Sequence, residues 1–375
     1  MDTGIEINEN LINWAIARAG YNEPDFFLQF PKIKEWIQNK KKLTLKQVEI
    51  ISNKLHVPFG YLLLKSPPVE KLPIPYFRSI NSNKTINLNV FDTILSIKRR
   101  QEWLIEYLDE NKYDQLDFIG KYNISDEIEV IINDIKNNLG IEDGWASRFN
   151  TWEETLSFLT TKIEELGIII VFNGIVENNT HRPIPVEDCR GFVIVDKLAP
   201  FMFINSTDGK AAQMFTIIHE LVHLWLGESA GFENNKLLPA NDPIEIFCDK
   251  VAAELLVPTK LFIEVWNKNK NFKTLSKHFK VSSIVIARRA LDLRLISKKD
   301  FFIYYESYLN DLRNKKNKIS SGGDFFATQK RRLNLRFANY VNTAVKENKL
   351  LFRDAYKITG LKGDTYQKFM TKHLY

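Results

Sequence analysis

His219 and His223 stand four residues apart in AAQMFTIIHELVHLWLG, and this segment constrains the fold more than any other part of the chain. Phe215, Ile218, Leu221, Val222, Leu224 and Leu226 surround the pair. A helix apolar in so many directions must be enclosed by other elements. A buried imidazole without a partner is unfavourable. Four residues is about 1.1 helical turns, so both rings leave the same face, one above the other. Two such histidines and one further ligand satisfy zinc, with a fourth position left for water. Glu220 lies roughly 100° round the helix from His219, where a carboxylate can take the proton of a water whose pKa the metal has lowered. The pattern implies a hydrolytic metal site.

The third ligand has to come from another element. A helix opening after Pro243 (PIEIFCDKVAAELLVP) presents Glu245 and Asp249 four residues apart on one face. Glu245 is the expected ligand. Asp249 is the expected acceptor for a histidine N–H behind it, an arrangement that zinc sites commonly need. Glu228, Glu233 and Asp242 are competing acids nearby, and Glu245 is also simply an acid in a first helical turn, where the helix dipole favours it.

The patterning around these helices predicts an α+β fold that is mainly helical. GIIIVFNGIV and GFVIVDKLAPFMFINS are rich in β-branched and aromatic residues and predict about three strands, a small sheet packed on the histidine-bearing helix. Residues 1–65 read as a bundle of short helices, one opened by Thr44 and a last one by Pro58. A linker is expected over 66–79, because SPPVEKLPIP holds four prolines. Residues 80–312 form the expected catalytic domain, with its core at about 165–300, and 313–375 a C-terminal helical region. RNKKNKISSGGD, residues 313–324, predicts a loop, and TLSKHFKVSSIVIARRALDLRLIS two helices joined at Val281-Ser282. The Arg288-Arg289 pair fits a solvated face.

Several function classes are excluded or disfavoured. The two cysteines, Cys189 and Cys248, form no CxxC pair and argue against a disulfide-stapled secreted fold. The N-terminus lacks a basic stretch followed by an apolar run, and no window suits a membrane span, so a cytoplasmic protein with no membrane partner is expected. A formal net charge of +6 permits a nucleic-acid surface without demanding one.

GFVIVDKLAPFMFIN, FTIIHELVHLWLG and EIFCDKVAAELLVP together resemble the ImmA/IrrE family of zinc metallo-endopeptidases. GIVENNTHRPIPVEDCRGF and SSGGDFFATQKRRLNLRFANYV are similar to a longer subgroup of it. The resemblance implies a zincin-like catalytic domain with Zn2+ held by His219, His223 and Glu245 and with Glu220 as general base. The family's usual Asn stands here as Asp249 and its Phe as Val251, and neither change removes a ligand. It also implies a substrate that is one regulatory protein, a repressor or similar partner. His181 and Arg182 are candidates to stabilise the oxyanion of a tetrahedral intermediate, with Tyr304 and Tyr305 weaker candidates.

EPDFFLQFPKIKEWIQNKKKLTLKQVEIISNKLHVPFGYLL resembles an Xre/Cro-like helix-turn-helix domain, in which the second helix of the pair enters the major groove. That helix would run from about Pro31 to Asn39. Lys32, Lys34, Lys40, Lys41 and Lys42 would meet phosphates of duplex DNA, which supplies affinity without sequence reading. Phe26, Phe27, Phe30, Glu35 and Asn39 depart from that pattern, so a module that holds a protein is the competing expectation. The competing function is a DNA-binding regulator, or an antitoxin-like protein, whose zinc domain binds a repressor- or toxin-like partner without cutting it. An intact Glu220 favours the protease, since recognition alone needs no base there.

Overall fold

Capping residues divide the first part of the chain into short helices. Asn8, Asn22 and Thr44 each accept a backbone N–H at a helix start, and Thr44 with Gln47 completes a capping box. The computed structural model describes residues 4–38, 42–70, 72, 76–77, 86–232, 242–315 and 325–374. The chain divides into two units, one of Met1–Leu72 with Thr85–Asp92 and one of Pro73–Lys84 with Thr93–Tyr375.

The first unit contains α1 (Glu9–Arg18), α2 (Glu23–Gln29), α3 (Pro31–Gln38) and α4 (Leu45–Leu55), followed by a 3-10 turn at Phe59–Leu63. Ile12, Ile16, Phe26, Val48, Ile51, Leu55 and Leu62 form its core. Phe26 and Phe27 are buried there, so their aromatic character serves packing. The linker expected over 66–79 shows no helix or strand at 67–70 or at 72, and Tyr76–Phe77 forms a strand, while 71, 73–75 and 78–79 lie outside the described residues.

The second unit takes Pro73–Lys84 and, from Thr93 onward, α5 (Leu88–Glu110), whose residues up to Asp92 are counted with the first unit. Its helices continue as α6 (Ile128–Leu139), α7 (Trp152–Glu165), α8 (Lys210–Leu226), α9 (Pro243–Leu256) and α10 (Thr259–Lys268). Then follow α11 (Phe272–Phe279), α12 (Ser283–Asp292), α13 (Lys298–Lys315), α14 (Phe325–Leu333), α15 (Leu335–Lys346), α16 (Phe352–Thr359) and α17 (Gly363–Leu374). Its strands are β1 (Tyr76–Phe77), β2 (Ile169–Asn173), β3 (Ile175–Val176), β4 (Asn179–Pro183), β5 (Gly191–Ile194), β6 (Phe201–Asn205) and β7 (Ala230–Phe232). The fold is α+β and mainly helical.

A five-stranded sheet has the order β1-β7-β5-β6-β2, while β3 and β4 pair as a separate hairpin. β6 runs parallel to β2 and antiparallel to β5. All residues of β2, β5 and β6 are buried, as expected where both faces of a sheet are covered. The period of two then separates the faces. Ile170, Phe172, Val193, Met202 and Ile204 join one core with Ile217, Leu221 and Leu224 of α8. From the other face Phe201 meets Phe337 of α15 edge-on, and Phe192 stacks on Phe203 with centroids 4.9 Å apart.

The sequence expectations differ from this structure in three places. The segments expected to hold about three strands hold β2, β3, β5 and β6, and β4 arises in the stretch between them. β1 and β7 are too short to carry a pattern, since tertiary pairing alone makes them strands. Within the loop expected at 313–324, residues 313–315 extend α13 and the remainder lies outside the described residues. Among the described residues no helix is long and apolar enough to cross a membrane.

Candidate metal centre

Two helices bring the polar groups together. α8 lies on β5 and β6 and packs against α7 and α9. Its C-terminal carbonyls are met by the loop after α5, where Gly120 N donates to Leu224 O at 2.9 Å and Tyr122 N to Trp225 O at 3.1 Å. Gly227 ends the helix at φ 74°, and a Cβ there would lie 2.9 Å from Gly120 Cα, so the close backbone approach requires glycine. α9 starts at Asp242, whose Oδ1 accepts from Ile244 N at 2.8 Å and Glu245 N at 3.3 Å, with Pro243 at the first helical position. That cap sets where Glu245 and Asp249 leave the helix.

His219, His223 and Glu245 are buried and offer ligand atoms that all lie within 4.8 Å of one another. His219 Nε2 is 3.1 Å from Glu245 Oε2 and 3.2 Å from His223 Nε2. His223 Nε2 is 3.2 Å from Glu245 Oε1, close enough for an ion pair but without hydrogen-bond geometry. A tetrahedral zinc ion with bonds of about 2.0–2.1 Å separates its ligand atoms by about 3.3 Å, close to the three edges of this triangle.

The proton inventory points the same way. His219 Nδ1 lies 3.0 Å from Asp249 Oδ1. A carboxylate oxygen accepts, so Nδ1–H donates, and in the neutral ring Nε2 is left as a lone pair. That lone pair faces the Glu245 carboxylate and a second imidazole nitrogen, an arrangement that only a shared proton or a cation makes favourable. Burial opposes charge on His219, yet Asp249 and Glu245 outweigh it and hold the ring well above its ordinary pKa. Burial lowers His223, and the charge on His219 adds to that. Burial alone would raise Glu245, but the hydrogen bond to His219 and the close approach and charge of both histidines bring it down to about 2. The donor set fits a divalent cation.

Glu220 is buried at 0% exposure, and neither carboxyl oxygen has a hydrogen-bond partner among the described residues. Burial pushes its carboxyl well above the usual range, with His219 opposing and Glu245 adding to the shift. β5 passes directly against it. A Cβ on Gly191 would lie 3.4 Å from Glu220 Oε1, 2.6 Å from Thr216 Cγ2 and 3.0 Å from Phe203 O. Gly191 therefore leaves room for Thr216, one helical turn before Glu220, and lets β5 approach α8 closely, a role that a lone glycine before an apolar run does not signal in sequence.

The remaining candidates are placed elsewhere. Asp242 is engaged as the cap of α9, Glu228 is exposed beyond the end of α8, and Glu233 lies outside the described residues. His181 and Arg182 sit on β4 of the separate hairpin and are not among the converging ligand atoms. Tyr305 packs with Phe301, and Tyr304 against Phe272. Lys32, Lys34 and Lys42 are exposed, while Lys40 and Lys41 lie outside the described residues. Arg289 corrects the expectation of a solvated arginine pair. It is buried, pairs with Glu254, and donates through Nε to Val257 O at 3.1 Å, whereas Arg288 pairs with Asp292 at 2.9 Å.

Residues 164–291 match the family model of the IrrE N-terminal-like domain, Peptidase_M78, which supports a metallopeptidase-type domain. The matched span contains His219, Glu220, His223, Glu245 and Asp249. Residues 334–372 match a domain of unknown function, DUF8813. No curated protein matches the chain.

Proposed function

We propose, from this metallopeptidase-type domain, that the chain is a zinc-dependent endopeptidase that cuts one specific regulatory protein, a transcriptional repressor or similar partner. The observation that carries the reading is Glu220, a buried carboxyl with both oxygens unpartnered beside a buried His-His-Glu triangle. A purely structural metal site would need no such group. His219, His223 and Glu245 hold the ion, and Asp249 fixes the orientation and tautomer of His219 through its Nδ1–H. When bound there, zinc would supply Lewis-acid chemistry, polarising a carbonyl and lowering the pKa of water. One Glu220 oxygen accepts the proton of the attacking water and later returns it to the amine leaving group. Burial of that carboxyl favours its protonated form and so strengthens it as the acceptor of that proton.

The reading extends to the domain plan. The zinc domain occupies about 80–312. Residues 1–65 form a helix-turn-helix-like module that meets phosphates of duplex DNA through Lys32, Lys34, Lys40, Lys41 and Lys42, or else holds the protein partner. Residues 313–375 add a helical region behind the sheet.

The test is to express the protein and its Glu220→Gln variant in cells beside the candidate partner, the product of a neighbouring gene, and to follow the partner's integrity. Glutamine keeps the size of the side chain but accepts no proton. Zinc content and fold should persist while cleavage falls by about 10²–10⁴-fold. A partner that stays intact with both proteins, while both produce the same regulatory phenotype, would overturn the protease in favour of a zinc-bearing recognition domain.

A further inference from the structure

A second concave site lies away from the metal ligands, against α7, β2, α14 and the first residue of α8. It is a cavity of about 470 Å³. Pockets of about 300–1,000 Å³ hold small organic ligands. Three cations reach it, Lys210, Lys330 and Arg331. Among the described residues none of the three has a carboxylate within ion-pairing distance, although Arg18, Arg190, Arg288 and Arg289 all do. The Arg331 guanidinium lies 4.1 Å from the centroid of the Phe172 ring, which fixes its place on the wall. Burial, and for Lys210 also the charge of Arg331, lowers the pKa of both groups, with Glu153 opposing for Lys210 and Glu164 for Arg331. Glu153 and Glu164 share the wall, but neither lies within ion-pairing distance of these cations, so three cations face two carboxylates and positive charge is in excess.

The rest of the wall describes the body of the ligand. Leu156, Ile170 and Phe172 supply an apolar floor, and Ser157, Thr160 and Thr161 supply hydroxyls. Glu164 lines the cavity too, but Asn334 Nδ2 already donates to its Oε1 at 2.6 Å. Glu153 opens α7 and remains as an acceptor for hydroxyl groups. Cations beside hydroxyls, a free carboxylate and an apolar floor suit a phosphate ester on a hydroxylated body better than a bare anion.

We propose that this cavity binds a small phosphomonoester with a hydroxylated body, a sugar phosphate or a nucleoside monophosphate, with its phosphate held by Lys210, Lys330 and Arg331. The ligand would touch the first residue of α8, the helix that also bears His219 and His223.

Titration calorimetry of the full chain at low salt tests this, with AMP, ribose 5-phosphate, adenosine and inorganic phosphate as probes. At least one of AMP and ribose 5-phosphate should bind at one per chain, and the better of the two distinguishes nucleotide from sugar phosphate. Adenosine and inorganic phosphate should each bind at least about tenfold more weakly, because each lacks one half of the recognised chemistry. Lys210→Gln, Lys330→Gln and Arg331→Gln combined should weaken binding by more than about tenfold. Ser157→Trp, at an exposed position of α7, fills the cavity without altering charge and should abolish binding even if the triple variant fails to fold. Failure of both phosphomonoesters to bind, binding no tighter than that of inorganic phosphate, or undiminished binding by Ser157→Trp would overturn the proposal.

Discussion

Helix α9 carries a buried polar cluster at each end, and the two differ in one respect. Near its C-terminus Glu254 pairs with Arg289 and accepts from Thr259 N at 2.8 Å and Thr259 Oγ1 at 2.7 Å. Arg289 also donates to Val257 O at 3.1 Å and Thr259 Oγ1 at 2.7 Å. Acceptors and donors saturate one another there. At the N-terminal end Glu245 meets His219 and His223 next to Glu220, and four atoms have no hydrogen-bond partner among the described residues: both Glu220 oxygens, His223 Nδ1 and Glu245 Oε1. Burying polar atoms without partners is unfavourable by about 1–3 kcal/mol each. The satisfied cluster joins α9 to α12 and needs nothing further. The unsatisfied one keeps polar atoms without partners among the described residues, which the proposed zinc ion and water would meet. Two polar clusters on one helix thereby differ, a satisfied joint at one end and a fully buried candidate site at the other.

The largest expected effect that tests the contrast is loss of metal. The purified protein should carry about one zinc per chain by elemental analysis. His219→Ala, His223→Ala and Glu245→Ala should each abolish that occupancy. Asp242→Ala should retain it, because Asp242 acts through the helix cap. Metal that survives Glu245→Ala but not Asp242→Ala would reverse the assignment of the third ligand.

Breaking the other end of α9 should act on stability instead. Arg289→Met removes the cation from Glu254 and should lower unfolding free energy by about 3 kcal/mol, the lower end for a buried pair, because the Glu254 side chain is 28% exposed. Denaturant unfolding measures this, and the folded fraction should still bind zinc at one per chain. Loss of metal from correctly folded Arg289→Met would show that the two ends of α9 are not independent.

Smaller again is the effect behind the ligands. Asp249→Asn retains the size of the acceptor but loses its charge, so zinc affinity should fall by about 10–100-fold with stoichiometry unchanged. Competition with a chelator of known affinity measures it. An unchanged affinity would remove Asp249 from the site.

The comparison also shows what was readable from the chain. α8 and α9 were legible because a helix has a period, and because Asp242-Pro243 announces a start that chain-local hydrogen bonds enforce. The same periodicity places His219 and His223 on one face, and Glu245 and Asp249 on one face, before any tertiary contact exists. Arg289 was misread because Arg288-Arg289 has the same local sequence whether one arginine is solvated or not. Only the partner Glu254, far away in the chain, decides that.

Sequence by itself therefore determined the elements and the facing of their side chains, since both follow from backbone geometry over a few residues. It determined the α+β class, because short runs rich in β-branched and aromatic residues stand apart from segments with a helical period. Only the tertiary structure decided which faces meet. It seats Gly191 against Glu220, closes Gly120 on Gly227, pairs β1 with β7, and gathers Lys210, Lys330 and Arg331 around one cavity. Each of these joins residues from separate elements. Close packing and the demand that buried polar groups be satisfied act through space, and neither leaves a periodic trace along the chain.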